Sequence, residues 1–177
     1  MRDFPRLPDG KVDVKSLDLG GLARFLGHIG EAESRAMLLY KQIWQRGART
    51  FTEMTNISKQ TLGRMEELAG LDFLALHKTL DSKDGTRKFL WQLPSGGLIE
   101  SVLIPDVDRG DGRNDRLTLC VSSQRGCAMK CSFCLTGDMG LREQLSAAQI
   151  ANQVLQVSEE LPPGSRITNI VMMGMGE

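Results

Sequence analysis

Between Leu117 and Gly176 the chain runs through an apolar stretch, "LTLCVSS", a polar loop, an amphipathic stretch and a second apolar run, "ITNIVMMGMG". The first run reads as a strand leading into the loop. "SAAQIANQVLQVSEEL" reads as an amphipathic helix with Ser146 as its N-cap, and "PPGS" as the turn after it. The second apolar run reads as a buried strand. Strand, loop, helix and strand in this order make a βαβ unit, because parallel strands need a crossover between them.

The loop inside that unit carries "GCAMKCSFC", Gly126 to Cys134. Cys127, Cys131 and Cys134 stand at a C-x3-C-x2-C spacing, and the fourth cysteine of the chain, Cys120, lies seven residues earlier in the apolar strand. A structural zinc ion asks for four ligands, usually as two Cys/His pairs, and Cys120 is poorly placed to complete such a set. Three close thiolates suit three irons of a [4Fe–4S] cube and leave the fourth iron open to a ligand. Zinc binding and simple electron transfer stay open as other readings of the thiols. "VMMGMGE" ends the second strand in a glycine-rich turn, where backbone can approach a ligand closely. Strand C-termini in α/β folds face the site.

The rest of the 177-residue chain is long enough to bury a core in one domain or two small ones. Lys+Arg and Asp+Glu are both 22, so no strong polyanion signal arises overall. Residues 1–90 nevertheless carry 15 basic against 12 acidic side chains, and residues 91–177 carry 7 against 10. Much of the basic excess falls in "SRAMLLYKQIWQRGART", with Arg35, Lys41, Arg46 and Arg49, which reads either as a solvated face or as a phosphate-contacting patch. "MRDFPRLPDG" has no apolar signal core and no later run approaches a membrane span, so a cytoplasmic location is expected. Thiols stay reduced there, which favours metal or redox chemistry over disulfides.

Helical patterns fill residues 1–71. Leucines recur at helical spacing in "SLDLGGLARFLGHIG", a second helix is expected in "EAESRAMLLYKQIWQRG", and Ser58 reads as the N-cap of a third helix ending near Gly70. His28 and His77 are solitary and read as structural. Tyr40, Trp44 and Phe51 read as core residues rather than platforms for bases. Residues 72–115 read as β-hairpins with turns at Lys83–Gly85 and Pro94–Gly97, followed by the polar loop "DVDRGDGRNDR". Residues 116–177 hold the βαβ unit.

"SRAMLLYKQIWQRG", "FTEMTNISK", "DGTRKFLWQL", "IESVLIP", "LCVSSQRGCAMKCSFCLTG" and "ITNIVMMGMGE" appear in one order. Together they resemble the RlmN/Cfr family of radical S-adenosylmethionine (SAM) RNA methyltransferases, most closely its adenine-C2 methylating branch. The resemblance runs from about Leu17 to Glu177. It implies an α/β fold: a helical N-terminal RNA-contacting domain (1–71), a β-hairpin extension (72–115), and the first part of a partial (β/α)6 radical SAM barrel (116–177).

The resemblance also assigns roles. Cys127, Cys131 and Cys134 would ligate a [4Fe–4S] cluster, and Gly176 and Glu177 would contact SAM. Phe133, by its place between two of these cysteines and not by the resemblance, reads simply as a residue packing against the cluster. Glu100 matches the proton acceptor, and Cys120 the thiol that resolves a covalent adduct. The implied reaction methylates C2 of a specific adenine in 23S rRNA and in tRNA through a methyl carried on a later cysteine. Adenine C2 is an sp² C–H and a poor nucleophile, so a radical route is needed. A monomer served by an external, flavodoxin-like electron donor is implied. C8 methylation, or a noncatalytic cluster- or zinc-binding fragment, are the other readings. Because the sequence stops at Glu177, about halfway through the implied barrel, no carrier cysteine remains. The expectation is that this stretch alone is inactive, with an unpaired edge on its last strand.

Overall fold

The computed structural model describes residues 4–105 and 116–176. The chain divides into two compact units, Met1–Asp72 and Phe73–Glu177. Most of the expected loop "DVDRGDGRNDR" and the expected SAM-contacting Glu177 lie outside the described residues.

In the first unit, strand β1 (Val12–Asp13) pairs in parallel with β2 (Ala69–Gly70), joining the two ends of the helical segment. Between them run helices α1 (Leu19–His28), α2 (Ala36–Trp44) and α3 (Lys59–Leu68). Asp18 caps α1 by accepting from Gly21 N at 2.6 Å, and Ser58 caps α3 by accepting from Thr61 N at 3.1 Å. The caps satisfy donors that a helix start leaves free. The expected second helix starts later than its acidic residues: Glu31 precedes, and Glu33 opens, a 3-10 turn, Glu33–Arg35, ahead of α2. Leu22, Phe25, Leu26, Leu39, Ile43 and Met65 fill the core of this unit.

The second unit is built on one mixed sheet in the order β3-β4-β5-β6-β9. Strands β3 (Ala75–Asp81), β4 (Arg87–Gln92), β5 (Leu98–Pro105) and β6 (Leu117–Cys120) are antiparallel neighbours. The two hairpin turns fall where glycines at positive φ allow them, Gly85 and Gly96. Strand β9 (Asn169–Val171) lies parallel to β6. Helix α5 (Ala147–Glu159) connects them, and Ser146 with Gln149 closes a capping box at its start. A two-residue ladder, β7 (Gln124–Arg125) with β8 (Glu143–Gln144), and the short helix α4 (Leu135–Asp138) complete the unit.

Alternation along β5 sets the two faces of the sheet. Ile99, Ser101 and Leu103 are buried, whereas Glu100, Val102 and Ile104 lie on the more open face. The buried face packs with Phe89, Trp91, Leu119 and Val157. Helix α5 also turns amides inward. Gln156 accepts from Leu74 N and donates to Leu74 O, both at 2.8 Å, so its amide acts as an extra strand partner for the start of the sheet.

The last strand differs from expectation. It spans three residues and is largely exposed, with Ile170 at 53%. Among the described residues β6 is its one strand partner, so β9 forms the sheet edge, in line with the expected unpaired edge.

Candidate active site

The cysteine loop is clamped at its base. The β7–β8 ladder joins the chain before Gly126 to the chain after Arg142, and Arg142 N donates to Arg125 O at 2.9 Å. Gly126 sits at φ 75° with the Gly140 carbonyl where a Cβ would lie, so only glycine fits ahead of Cys127. Lys130 adopts the left-handed region at φ 51°, a sparsely populated conformation for a lysine, and delivers Cys131. Cys134 N donates to Cys131 O and Gly137 N to Cys134 O, winding the last two cysteines into the start of α4. Cys127 Sγ accepts from Met129 N at 3.4 Å.

All three cysteines line one cavity of about 300 Å³, together with Phe133, Thr136, Met172, Met173, Gly174 and Gly176. The spacing thus brings the thiols to the glycine-rich turn that follows β9. Phe133 and Met173 stand 91% and 78% exposed beside it, large apolar groups left open to solvent. Among the described residues no group of three His, Cys, Asp or Glu side chains is gathered around one ion position. A cube takes each thiolate on a different iron. Three soft thiol donors around an open cavity fit such a group.

The two backbone segments behind the cavity are laced together. Gly174 N donates to Val121 O, while Ser123 N and Gln124 N both donate to Met175 O at 2.9 and 3.0 Å. Ser122 Oγ donates to Glu100 O at 2.6 Å and accepts from Met175 N at 2.9 Å. Gln153 of α5 accepts from Ser122 N at 2.9 Å and donates to Ser122 O at 2.8 Å. Its oxygen also accepts from Ser101 Oγ at 2.8 Å, and that hydroxyl accepts from Trp91 Nε1 at 3.0 Å. Ser101, Ser122 and Gln153 are fully buried. Gly176, at φ 100°, packs its α-carbon on Gln124, where a Cβ would come within 2.5 Å.

Glu100 and Cys120 come together on the open face of the sheet. Cys120 is the register partner of Val102, so Glu100 is its diagonal neighbour across β5 and β6. Lys88, which also faces Val102 from β4, places Nζ 3.0 Å from Glu100 Oε2. Burial pushes the Cys120 thiol above its ordinary 9.0, and a hydrogen bond from the Met173 backbone opposes part of that shift. That bond ties Cys120 to a residue lining the cavity.

Ser122, Gln153 and Lys88 were not evident from sequence as parts of this arrangement. The signal for Gln153 was present: buried positions of α5 include Asn152, Gln153 and Gln156 where an apolar stripe would carry leucines. In the first unit Phe51 is buried and Trp44 packs on the core, but Tyr40 is exposed, contrary to its reading as core. Met37, Tyr40 and Lys41 share one helix face by their spacing. Arg35, Arg46 and Arg49 are exposed too; Arg35 reaches Glu31 at 3.4 Å and Arg46 donates to Thr55 Oγ1 at 2.7 Å. His28 Nδ1 lies 3.0 Å from Arg24 O and its ring meets Phe4 edge-on.

Residues 12–71 match the family model described as the ribosomal RNA large subunit methyltransferase N-terminal domain. Over 169 residues the chain is 44% identical to the dual-specificity RNA methyltransferase RlmN of Geobacter sulfurreducens, covering 96% of this chain and 44% of the relative. The protein of the same description from Pelobacter propionicus is 47% identical over 94% of this chain and 45% of its own length. The crystal structure of a radical SAM methyltransferase from Sphaerobacter thermophilus superposes with a TM-score of 0.79 at 34% identity, over 93% of this chain and 47% of that one. The chain therefore spans about half the length of the curated relatives it matches. By these likenesses, and by its helical unit followed by the first strands of a partial barrel, the chain belongs to the RlmN family.

Proposed function

We propose that this member of the family carries the cofactor-binding end of a radical SAM methyltransferase acting on C2 of adenine in 23S rRNA and tRNA. The observation that carries the reading is the convergence of Cys127, Cys131 and Cys134 with the Gly174–Gly176 turn on one cavity. Cys120 is joined to that cavity through Met173, and Glu100 is the diagonal neighbour of Cys120.

Cys127, Cys131 and Cys134 would hold a [4Fe–4S] cluster, and the glycine turn would receive SAM, with Gly176 and Glu177 as contacts. When bound, the pair supplies the one-electron chemistry that an unreactive sp² C–H requires. The chain's own residues handle protons and the adduct. Glu100 accepts the proton leaving C2, and the Lys88 ammonium holds its carboxylate in place. Cys120 would release the covalent adduct by bonding its sulfur to that of the carrier cysteine as the sulfur–carbon bond breaks, the electron pair staying with the methyl carbon, which takes up a proton, and a disulfide being left. Its raised pKa keeps it protonated and unreactive at neutral pH until a base is available. The exposed Tyr40 and Lys41 of α2, and the exposed Arg46 beyond its end, offer aromatic and cationic contacts to RNA.

The reading is tested by anaerobic reconstitution. The chain is expected to take up about four irons and four sulfides, the composition of the cube. Stoichiometric zinc without iron would overturn the reading. In a chimaera that completes the barrel from a relative, Glu100→Gln should still cleave SAM while RNA methylation falls about 10²-fold or more, the contribution typical of a general base. Product analysis separates C2 from C8 methylation.

A further inference from the structure

We infer that Ser122 is a positioning residue of the cofactor site: its hydroxyl fixes the glycine turn against the strand that carries Glu100. The inference rests on the proposed function only for the identity of the ligand, SAM; the geometry is independent of it. One buried hydroxyl makes both bonds. It donates to the carbonyl of Glu100 at 2.6 Å and accepts from Met175 N at 2.9 Å. Its own backbone N–H and C=O are taken by the Gln153 amide, so the residue cannot shift without breaking bonds on several sides. Met175 lies between Gly174 and Gly176, both of which line the cavity.

The space between Ser122 and the turn is tight. A Cβ on Gly174 would come within 2.7 Å of Ser122 Oγ, so the turn is packed directly on the hydroxyl. A threonine would add a methyl to this crowded contact. An alanine would leave Met175 N and one lone-pair site of the Glu100 carbonyl without this partner. The β6–β9 ladder ends at Cys120 and Val171, so beyond it the turn depends on these loop contacts with Val121–Gln124. Of those contacts, the Ser122 hydroxyl is the one that also reaches β5.

A role confined to stability would act on the whole unit, whereas a positioning role acts on ligand binding at constant cluster content. Ser122→Ala is compared with Trp91→Phe, which deletes the Trp91–Ser101 bond of the same buried network, reached from Ser122 only through Gln153 and Ser101. The parent and both variants are reconstituted anaerobically in sucrose, which favours the folded state of a weakened variant. Iron content, thermal midpoint and SAM dissociation constant are measured, and backbone amide exchange is followed in the cluster-free proteins.

Ser122→Ala is expected to keep the parent's iron content, weaken SAM binding about tenfold, and speed exchange at Met175 N more than at Gly174 N. Trp91→Phe is expected to lower the thermal midpoint with SAM affinity within about twofold of the parent. Unchanged SAM affinity in Ser122→Ala, or equal loss in both variants, overturns the inference. Failure of the parent itself to take up iron would sink the proposed function instead, and the exchange comparison would still decide whether the hydroxyl holds the turn.

Discussion

Replacing Gln153 by leucine removes an amide of similar size from the centre of the buried network. Four bonds go: from Ser122 N, to Ser122 O, from Ser101 Oγ and, long at 3.4 Å, to Gln149 O. The serine hydroxyl can turn to another acceptor, but the Ser122 backbone N–H and C=O are fixed by the chain and buried. Each orphaned group costs about 1–3 kcal/mol, and the leucine recovers about 1.5 kcal/mol by burial of apolar surface. With two such groups the net expectation is a loss centred on about 2.5 kcal/mol, a large share of the ~5–15 kcal/mol typical of a folded domain. The chain holds two tryptophans, one per unit, and Trp91 is buried in this same network. Urea unfolding followed by fluorescence in a Trp44→Phe background therefore reports on the second unit alone. With a urea slope of about 1–3 kcal/mol/M, the midpoint should fall by about 1–3 M. A midpoint within about 0.3 M of the parent would refute the claim that the Gln153 amide holds the loop.

Alanine at Cys127, Cys131 or Cys134 should abolish cluster iron, while Cys120→Ala should retain it near the parent level; equal iron loss from all four would point to a four-cysteine site. In the cluster-free chain, Cys131 and Cys134 should alkylate well before Cys120, whose rate should climb as the pH passes 9, because burial holds it protonated. The same raised value means that Cys120 binds its proton more tightly in the folded chain. Its contribution to stability is full below pH about 9 and lost as the pH rises through the folded value, so Cys120→Ala should flatten the alkaline limb of a stability–pH curve; an unchanged limb would count against this assignment. Removing the charges of Lys41 and Arg46 should weaken RNA binding and flatten its salt dependence by about 0.7 in log–log slope per lost phosphate contact, with iron content unchanged. Identical salt slopes would make that face plain solvated surface.

Much of the fold was legible in the sequence because its signals are local. Ser58 and Ser146 cap the helices they were expected to cap, since a cap needs only a hydroxyl within three residues of a free N–H. The Lys83–Gly85 and Pro94–Gly97 turns reverse the chain where glycine supplies positive φ. The cysteines meet in one cavity because a short loop cannot carry them far apart. Sequence by itself also ordered strand, loop, helix and strand.

What the sequence could not determine was register and depth. Glu100 neighbours Cys120 because Val102 pairs with it, and a slip of one residue would turn Glu100 to the opposite face. Tyr40 sits on a helical pattern that looks apolar but faces solvent, and β9 looks buried but is largely exposed, because burial depends on what packs alongside. Gln153 and Ser122 meet across 31 residues, through contacts that exist only once α5 lies on the sheet. Hydrogen bonds between groups so distant in sequence carry no local signature, so only the tertiary structure could place the thiols and the glycine turn on one cavity and tie that turn through Ser122 to the Glu100 carbonyl.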